Sequence, residues 1–170
     1  MRLFSETFTD YDAMLKFTRT AVTSFGGVDA VINLAQLGDL ECDGSAAGVE
    51  RAVTELLAMP CLVSRIAANR MKTTLTEGAI LNILAVERGA SAKSALLAGI
   101  ARNVLAGLTR AEAQQSADAN VRINAIAPIA PALAHTEPVS SAPDVATLAC
   151  HLVSPKGHQL SGLVFEAYFA

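Results

Sequence analysis

Charge is scarce in this sequence: only 17% of its 170 residues are Asp, Glu, Lys or Arg, and the formal net charge is −3. Lysine and arginine are scattered, so the basic block that a nucleic-acid surface needs is missing and no nucleic-acid partner is expected. Cysteine is equally thin. Cys42, Cys61 and Cys150 are odd in number and far apart, which argues against a disulfide framework or a zinc site and for buried free thiols. No apolar run reaches the roughly 18 residues that span a bilayer. The opening residues MRLFSETFTD lack a charged-then-apolar leader pattern, so a cytoplasmic protein without membrane association is expected. Linkers, repeats and low-complexity stretches are also missing, and residues 1–170 are expected to form one domain.

What is abundant is apolar: 52% of the residues are hydrophobic, more than the interior of a domain of this size requires. Such an excess points to a subunit interface. Helical periodicities alternate with β-branched runs, which predicts an α/β domain with a mainly parallel sheet. The runs VDAVINLA (28–35), GAILNILAV (78–86), VRINAIAP (121–128) and GLVFEAYF (162–169) read as four strands, and RLFSETF (2–8) as a possible fifth. Helices are predicted from the cap Asp10 to about Phe25, from about Ser45 to Lys72 with a kink at Pro60, from about Ser91 to Gln115, and from Pro143 to Val153. The stretch Ala95 to Gly107 is apolar or small on nearly every face, whereas a helix covering a sheet needs a single apolar stripe. Its second face, with that of the preceding helix, is expected to meet another subunit through Leu56, Met59, Leu62, Leu97, Ala98, Ala101 and Leu105.

Taken in order, FGGVDAVINLA, GAILNILAV, AGLTRAEAQQ, VRINAIAP, APDVATLACHLVSP and LSGLVFEAY resemble successive landmarks of the short-chain dehydrogenase/reductase family. The resemblance runs from about Phe25 to the end, and the helix before it resembles the one preceding the family's fourth strand. It implies a Rossmann-like, doubly wound parallel sheet, truncated so that the first two strands are lacking. The glycine-rich turn that presents backbone amides to the cofactor pyrophosphate has no counterpart here, and Gly26-Gly27 is a turn before a strand. In the family's strand order 3-2-1-4-5-6-7, loss of strands one and two bares an edge of the fourth. Residues 2–8, a loop or a partner chain is expected to cover it.

Carried over position by position, the family's catalytic serine falls at Ala85, its tyrosine at Ala98 and its lysine at Arg102. The asparagine of the preceding helix falls at Leu57, and a glycine three residues later at Pro60. An alternative register built on Lys93 puts Gly89 at the tyrosine position and restores nothing. Carbonyl reduction needs a tuned acid and a polarising hydroxyl, and methyl groups supply neither. Arg102 keeps a positive charge without lysine's geometry, and is expected to form a salt bridge or lie on the helix surface. The family's Pro-Gly reads Pro128-Ile129, and its substrate-covering segment shrinks to about residues 130–142. His135, His151 and His158 lack metal-ligand spacing. The expectation is therefore a non-catalytic subunit with no catalytic, cofactor or metal residues. It would join a full-length, active short-chain dehydrogenase, or form a homodimer or homotetramer that acts as a scaffold or binds a small ligand. A cut-down NAD(P)-dependent oxidoreductase completed by a partner is the remaining reading.

Overall fold

The computed structural model describes residues 10–25, 27–37, 43–74, 76–86, 91–128 and 142–167. In chain order these form α1 (Tyr11–Phe25), β1 (Ala30–Leu37), α2 (Ala46–Thr74), β2 (Gly78–Val86), α3 (Ala92–Ser116), β3 (Val121–Ala127), α4 (Ala142–Val153) and β4 (Val164–Glu166), with 3-10 turns at Ala117–Ala119 and Pro155–Gly157. The four strands make one sheet in the order β1-β2-β3-β4, every pair parallel. All four strands read from the sequence are there, β2 with the expected bounds, β3 one residue shorter, β1 shifted by two and β4 shortened to Val164–Glu166. Residues 2–8 lie outside the described residues, so the expectation that they cover the edge of β1 is not addressed by the fold.

The caps explain where the helices start. Asp10 Oδ1 accepts from the Ala13 amide at 2.8 Å, and Ser91 Oγ accepts from the Ser94 amide at 3.1 Å. Pro60 does not split α2, which continues through it. The Pro60 carbonyl accepts from Asn33 Nδ2 at 3.2 Å, which ties this turn of the helix to β1.

Strand alternation divides the core into two layers. On one face, Ile80, Leu84, Ile123 and Ala125 pack under α2 and α3. On the other, Leu81, Ile83 and Ile126 pack under Val145, Ala149 and Leu152 of α4. β2 and β3 are thus covered on both sides, as in a doubly wound fold, whereas on the α4 face of β1 Ile32 and Leu34 are 48% and 64% exposed. Because strand order proceeds in one direction throughout while α4 lies on the face opposite α2 and α3, the third connection has the opposite hand to the first two.

Two polar devices hold the later elements. Arg122 donates from Nη1 to the carbonyls of Leu152 and Gly157, each at 2.7 Å, and from Nη2 to that of Ser154 at 3.2 Å. A guanidinium thus caps the C-terminus of α4, where carbonyls lack helical partners and the helix dipole is negative. Asn124 donates to the Leu160 carbonyl at 2.8 Å and accepts from the Leu163 amide at 3.1 Å, fixing the approach to β4.

Candidate functional site

In open parallel α/β sheets the working crevice lies beyond the C-terminal ends of the strands. Ala85, at that end of β2 and in register with Gln36 of β1, is partly exposed. Ala98 is 0% exposed and packs in one cluster with Leu84, Ala127 and Leu37. Leu57 is 4% exposed in the same cluster. Arg102, one turn after Ala98 on α3, donates from Nη2 to Glu166 Oε1 at 2.8 Å, closing a salt bridge from α3 to β4. The expected salt-bridge role of Arg102 is what the geometry gives, although its Nε is buried and without a hydrogen-bond partner.

Beneath this end, Asn33, Ser64 and Asn82 form a buried polar triangle that the sequence reading missed. Asn33 Nδ2 donates to Asn82 Oδ1 at 2.8 Å and to Ser64 Oγ at 3.1 Å, and Ser64 Oγ donates to Asn82 Oδ1 at 2.9 Å. Ser64 and Asn82 are 0% and 3% exposed. Two asparagines inside largely apolar strand runs were the available signal, since a buried amide must find partners. The triangle locks β1, β2 and α2 together.

These residues do not fit a nicotinamide cofactor. The arginine where a lysine would meet it is engaged with Glu166, and the tyrosine position is a methyl group sealed in the core. Among the described residues no cluster of three or more His, Cys, Asp and Glu side chains could hold a metal ion. His151 is exposed on α4, and His158 Nδ1 lies 3.1 Å from the Pro155 carbonyl. His135 and Cys42 lie outside the described residues. Cys61 is half-buried, but Cys150 is exposed, which corrects the expectation of a buried thiol there. It sits on the solvent side of α4, whose Val145, Ala149 and Leu152 meet the sheet.

The outer side of the helix pair departs from expectation in a specific way. Leu97, Ala98, Ala101 and Leu105 are 3%, 0%, 0% and 2% exposed and belong to the chain's own core, so they are not available to another subunit. Ala98, Ala101 and Ala106 are buried within the chain's own core, whereas Gly107 is exposed with open space around it. Leu56, Met59 and Leu62 of α2 are partly exposed. The outward stripe of α3 is formed instead by larger side chains, with Leu96 at 61% and Val104 at 42% exposure. Between the helices runs an apolar groove of about 600 Å³, with Val53, Leu57 and Cys61 on one side and Ile100, Val104 and Leu108 on the other. Burial pushes the Cys61 thiol up to about 11, the nearby Glu112 carboxylate adding to the effect. Burial likewise raises Glu112, against the pull of Arg65.

A parallel sheet wound on both faces, with its crevice at the strand C-termini, defines a Rossmann-like α/β protein. The family model described as "Enoyl-(Acyl carrier protein) reductase" matches residues 7–151, and the chain belongs to the short-chain dehydrogenase/reductase family. Solved structures agree. A citronellol catabolism dehydrogenase of Pseudomonas aeruginosa is similar at 26% identity with a TM-score of 0.70, covering 94% of this chain and 68% of that one. A hydroxysteroid dehydrogenase from Escherichia coli is similar at 23% identity with a TM-score of 0.68, covering 90% and 68%. A short chain dehydrogenase from Mycobacterium smegmatis matches at 24% identity and a TM-score of 0.68, covering 91% and 63%. The chain therefore spans about two thirds of the length of these relatives. No curated protein sequence matches. Among the described residues no helix is long and apolar enough to cross a membrane.

Proposed function

We propose that this protein is a non-catalytic subunit of the short-chain dehydrogenase type, which associates through the outer face of α2 and α3 with an active, full-length member of the family and supports it structurally. The observation that carries this reading is the state of the tyrosine and lysine positions. Ala98 is fully buried and Arg102 is held by Glu166, so neither is placed to exchange a proton at a substrate carbonyl. The outer groove, by contrast, keeps an apolar lining that water solvates poorly. Association through it stabilises the partner by mass action without any chemistry in this subunit. A cytoplasmic location follows from that partnership.

Co-expression of the tagged chain with full-length short-chain dehydrogenases of the same genome, followed by native mass measurement, tests the reading. A stable heteromeric mass is expected, and no NADH or NADPH binding by the isolated chain in a fluorescence titration. Tight dinucleotide binding by the isolated chain, or carbonyl turnover abolished by a point change within it, would reverse the conclusion.

A further inference from the structure

β1 is the outermost strand among the described residues, with β2 on one side of it only. The Ala79 amide donates to the Asp29 carbonyl at 3.0 Å, so Val31, Asn33 and Ala35 turn their backbone groups toward β2, while Ile32 and Leu34 turn theirs to the open edge. Such an edge is a template for further pairing, and soluble proteins blunt it with lysine, proline, a bulge or a very short strand. β1 has none of these devices. It runs for 8 residues, AVINLAQL, without a charge or a proline, and its register with β2 is unbroken. Ile32 and Leu34 are also 48% and 64% exposed, on the face opposite the one where Asn33 meets α2.

We propose that residues 2–8 of this chain, RLFSETF, occupy that edge as a strand parallel to β1, which makes residues 2–37 one β-α-β unit with α1 as its crossover. The lengths close. A strand of that segment extends about 23 Å, and the 15 residues of α1 return about 22 Å. Thr9 and the cap Asp10 link strand to helix, and residues 26–29 link helix to β1, both within the span usual for such units. Charge selects the face. Arg2, Phe4, Glu6 and Phe8 alternate with Leu3, Ser5 and Thr7, and a carboxylate turned toward the helix layer would lose its hydration there. The set with Glu6 therefore takes the opposite, open face and brings Phe4 and Phe8 to Ile32 and Leu34. A tethered segment meets the edge at high effective concentration, which favours it over a second copy or a foreign strand. With the edge held from within, no partner can add a nucleotide-binding half there. The edge closes in this way whether or not α2 and α3 meet another subunit.

Amide hydrogen exchange of the full chain, resolved by residue with NMR, tests the closure. The Ile32 and Leu34 amides are expected to exchange within about tenfold of the Asn33 amide, which points to β2, and to keep that protection on dilution. In Phe4→Ser/Phe8→Ser they are expected to exchange at least about a hundredfold faster, with Asn33 unchanged as the sign that the fold persists. Ser5→Lys is expected to speed them likewise, whereas Glu6→Lys leaves them slow. Fast exchange of Ile32 and Leu34 in wild type beside a protected Asn33 overturns the proposal. Protection that vanishes on dilution, together with a dimer in native mass spectrometry, assigns the edge to a second copy and overturns it as well. Protection that survives in Phe4→Ser/Phe8→Ser overturns the contact with Ile32 and Leu34. Protection lost in Glu6→Lys and kept in Ser5→Lys overturns the choice of face.

Discussion

Arg102 and Glu166 meet at 2.8 Å, joining the middle of α3 to the last strand at the position where the resemblance sets a catalytic lysine. The arginine side chain is 24% exposed and the glutamate 49%, so water screens the pair. A double-mutant cycle with Arg102→Ala and Glu166→Ala is expected to give a coupling of about 0.2–1 kcal/mol, falling with added salt. A coupling well above that range would mean that the buried Nε, left without a partner, makes the pair more demanding than its exposure indicates.

Ala98 is 0% exposed and belongs to the buried cluster that also holds Leu84, Leu97 and Ala127, so a phenol ring placed there has to displace core side chains. Ala98→Tyr is therefore expected to destabilise by about 1–3 kcal/mol, lowering Tm by roughly 2–12 °C. Thermal denaturation followed by circular dichroism reads this directly. A neutral or stabilising result would show that the crevice still holds space for the family's tyrosine, and would weaken the non-catalytic reading.

Strand and helix placement was legible because both periodicities are strong: GAILNILAV is β2 to the residue, and the alternation in VRINAIAP sends Ile123 and Ile126 to opposite layers. The family resemblance was legible for the same reason, since the strand and helix strings occur in order. Which face of α3 would be covered was not legible. A helix that is apolar all round gives no stripe to read, and Ala98 and Ala101 suit a sheet as well as a neighbouring helix. The Asn33, Ser64 and Asn82 triangle was missed because its members are 18 to 49 positions apart and only the fold brings them together. Arg122 was missed as a cap because its carbonyls come from the far end of α4.

Asn82 Oδ1 accepts from Asn33 Nδ2 and from the buried Ser64 Oγ, so its loss leaves the Ser64 hydroxyl without its acceptor while Asn33 Nδ2 keeps the Pro60 carbonyl and Ser64 Oγ. Asn82→Ala is expected to cost about 1–3 kcal/mol, measured by urea denaturation. Ser64→Ala removes one hydroxyl and leaves the two amides paired, and a smaller cost of about 1 kcal/mol is expected. Equal costs for the two changes would mean that cavity formation rather than hydrogen bonding governs this site.

Cys61 and Cys150 differ in the way that sets thiol reactivity. Burial pushes Cys61 from an ordinary 9.0 to about 11, which leaves about a hundredfold less thiolate at pH 8, while Cys150 is exposed. Iodoacetamide at pH 8, read by peptide mass, is expected to alkylate Cys150 well before Cys61. Rapid labelling of Cys61 would show that the α2 and α3 groove opens more than the structure indicates.

Glu112 supplies a pH signature for the free chain. Burial raises its carboxyl above the ordinary 4.5, so the folded state holds the proton more tightly than the unfolded chain does. Its contribution to stability is then fully present below 4.5 and is lost as pH rises through the folded value. Glu112→Gln removes that loss. The variant should melt level with wild type at acid pH and about 1–2 °C above it at pH 7, a small gap because the group is half-exposed and Arg65 offsets part of the effect. Melting curves of both proteins across pH 4 to 8 check the sign. A gap that shrinks with rising pH would mean that the Glu112 carboxylate is satisfied in the folded chain.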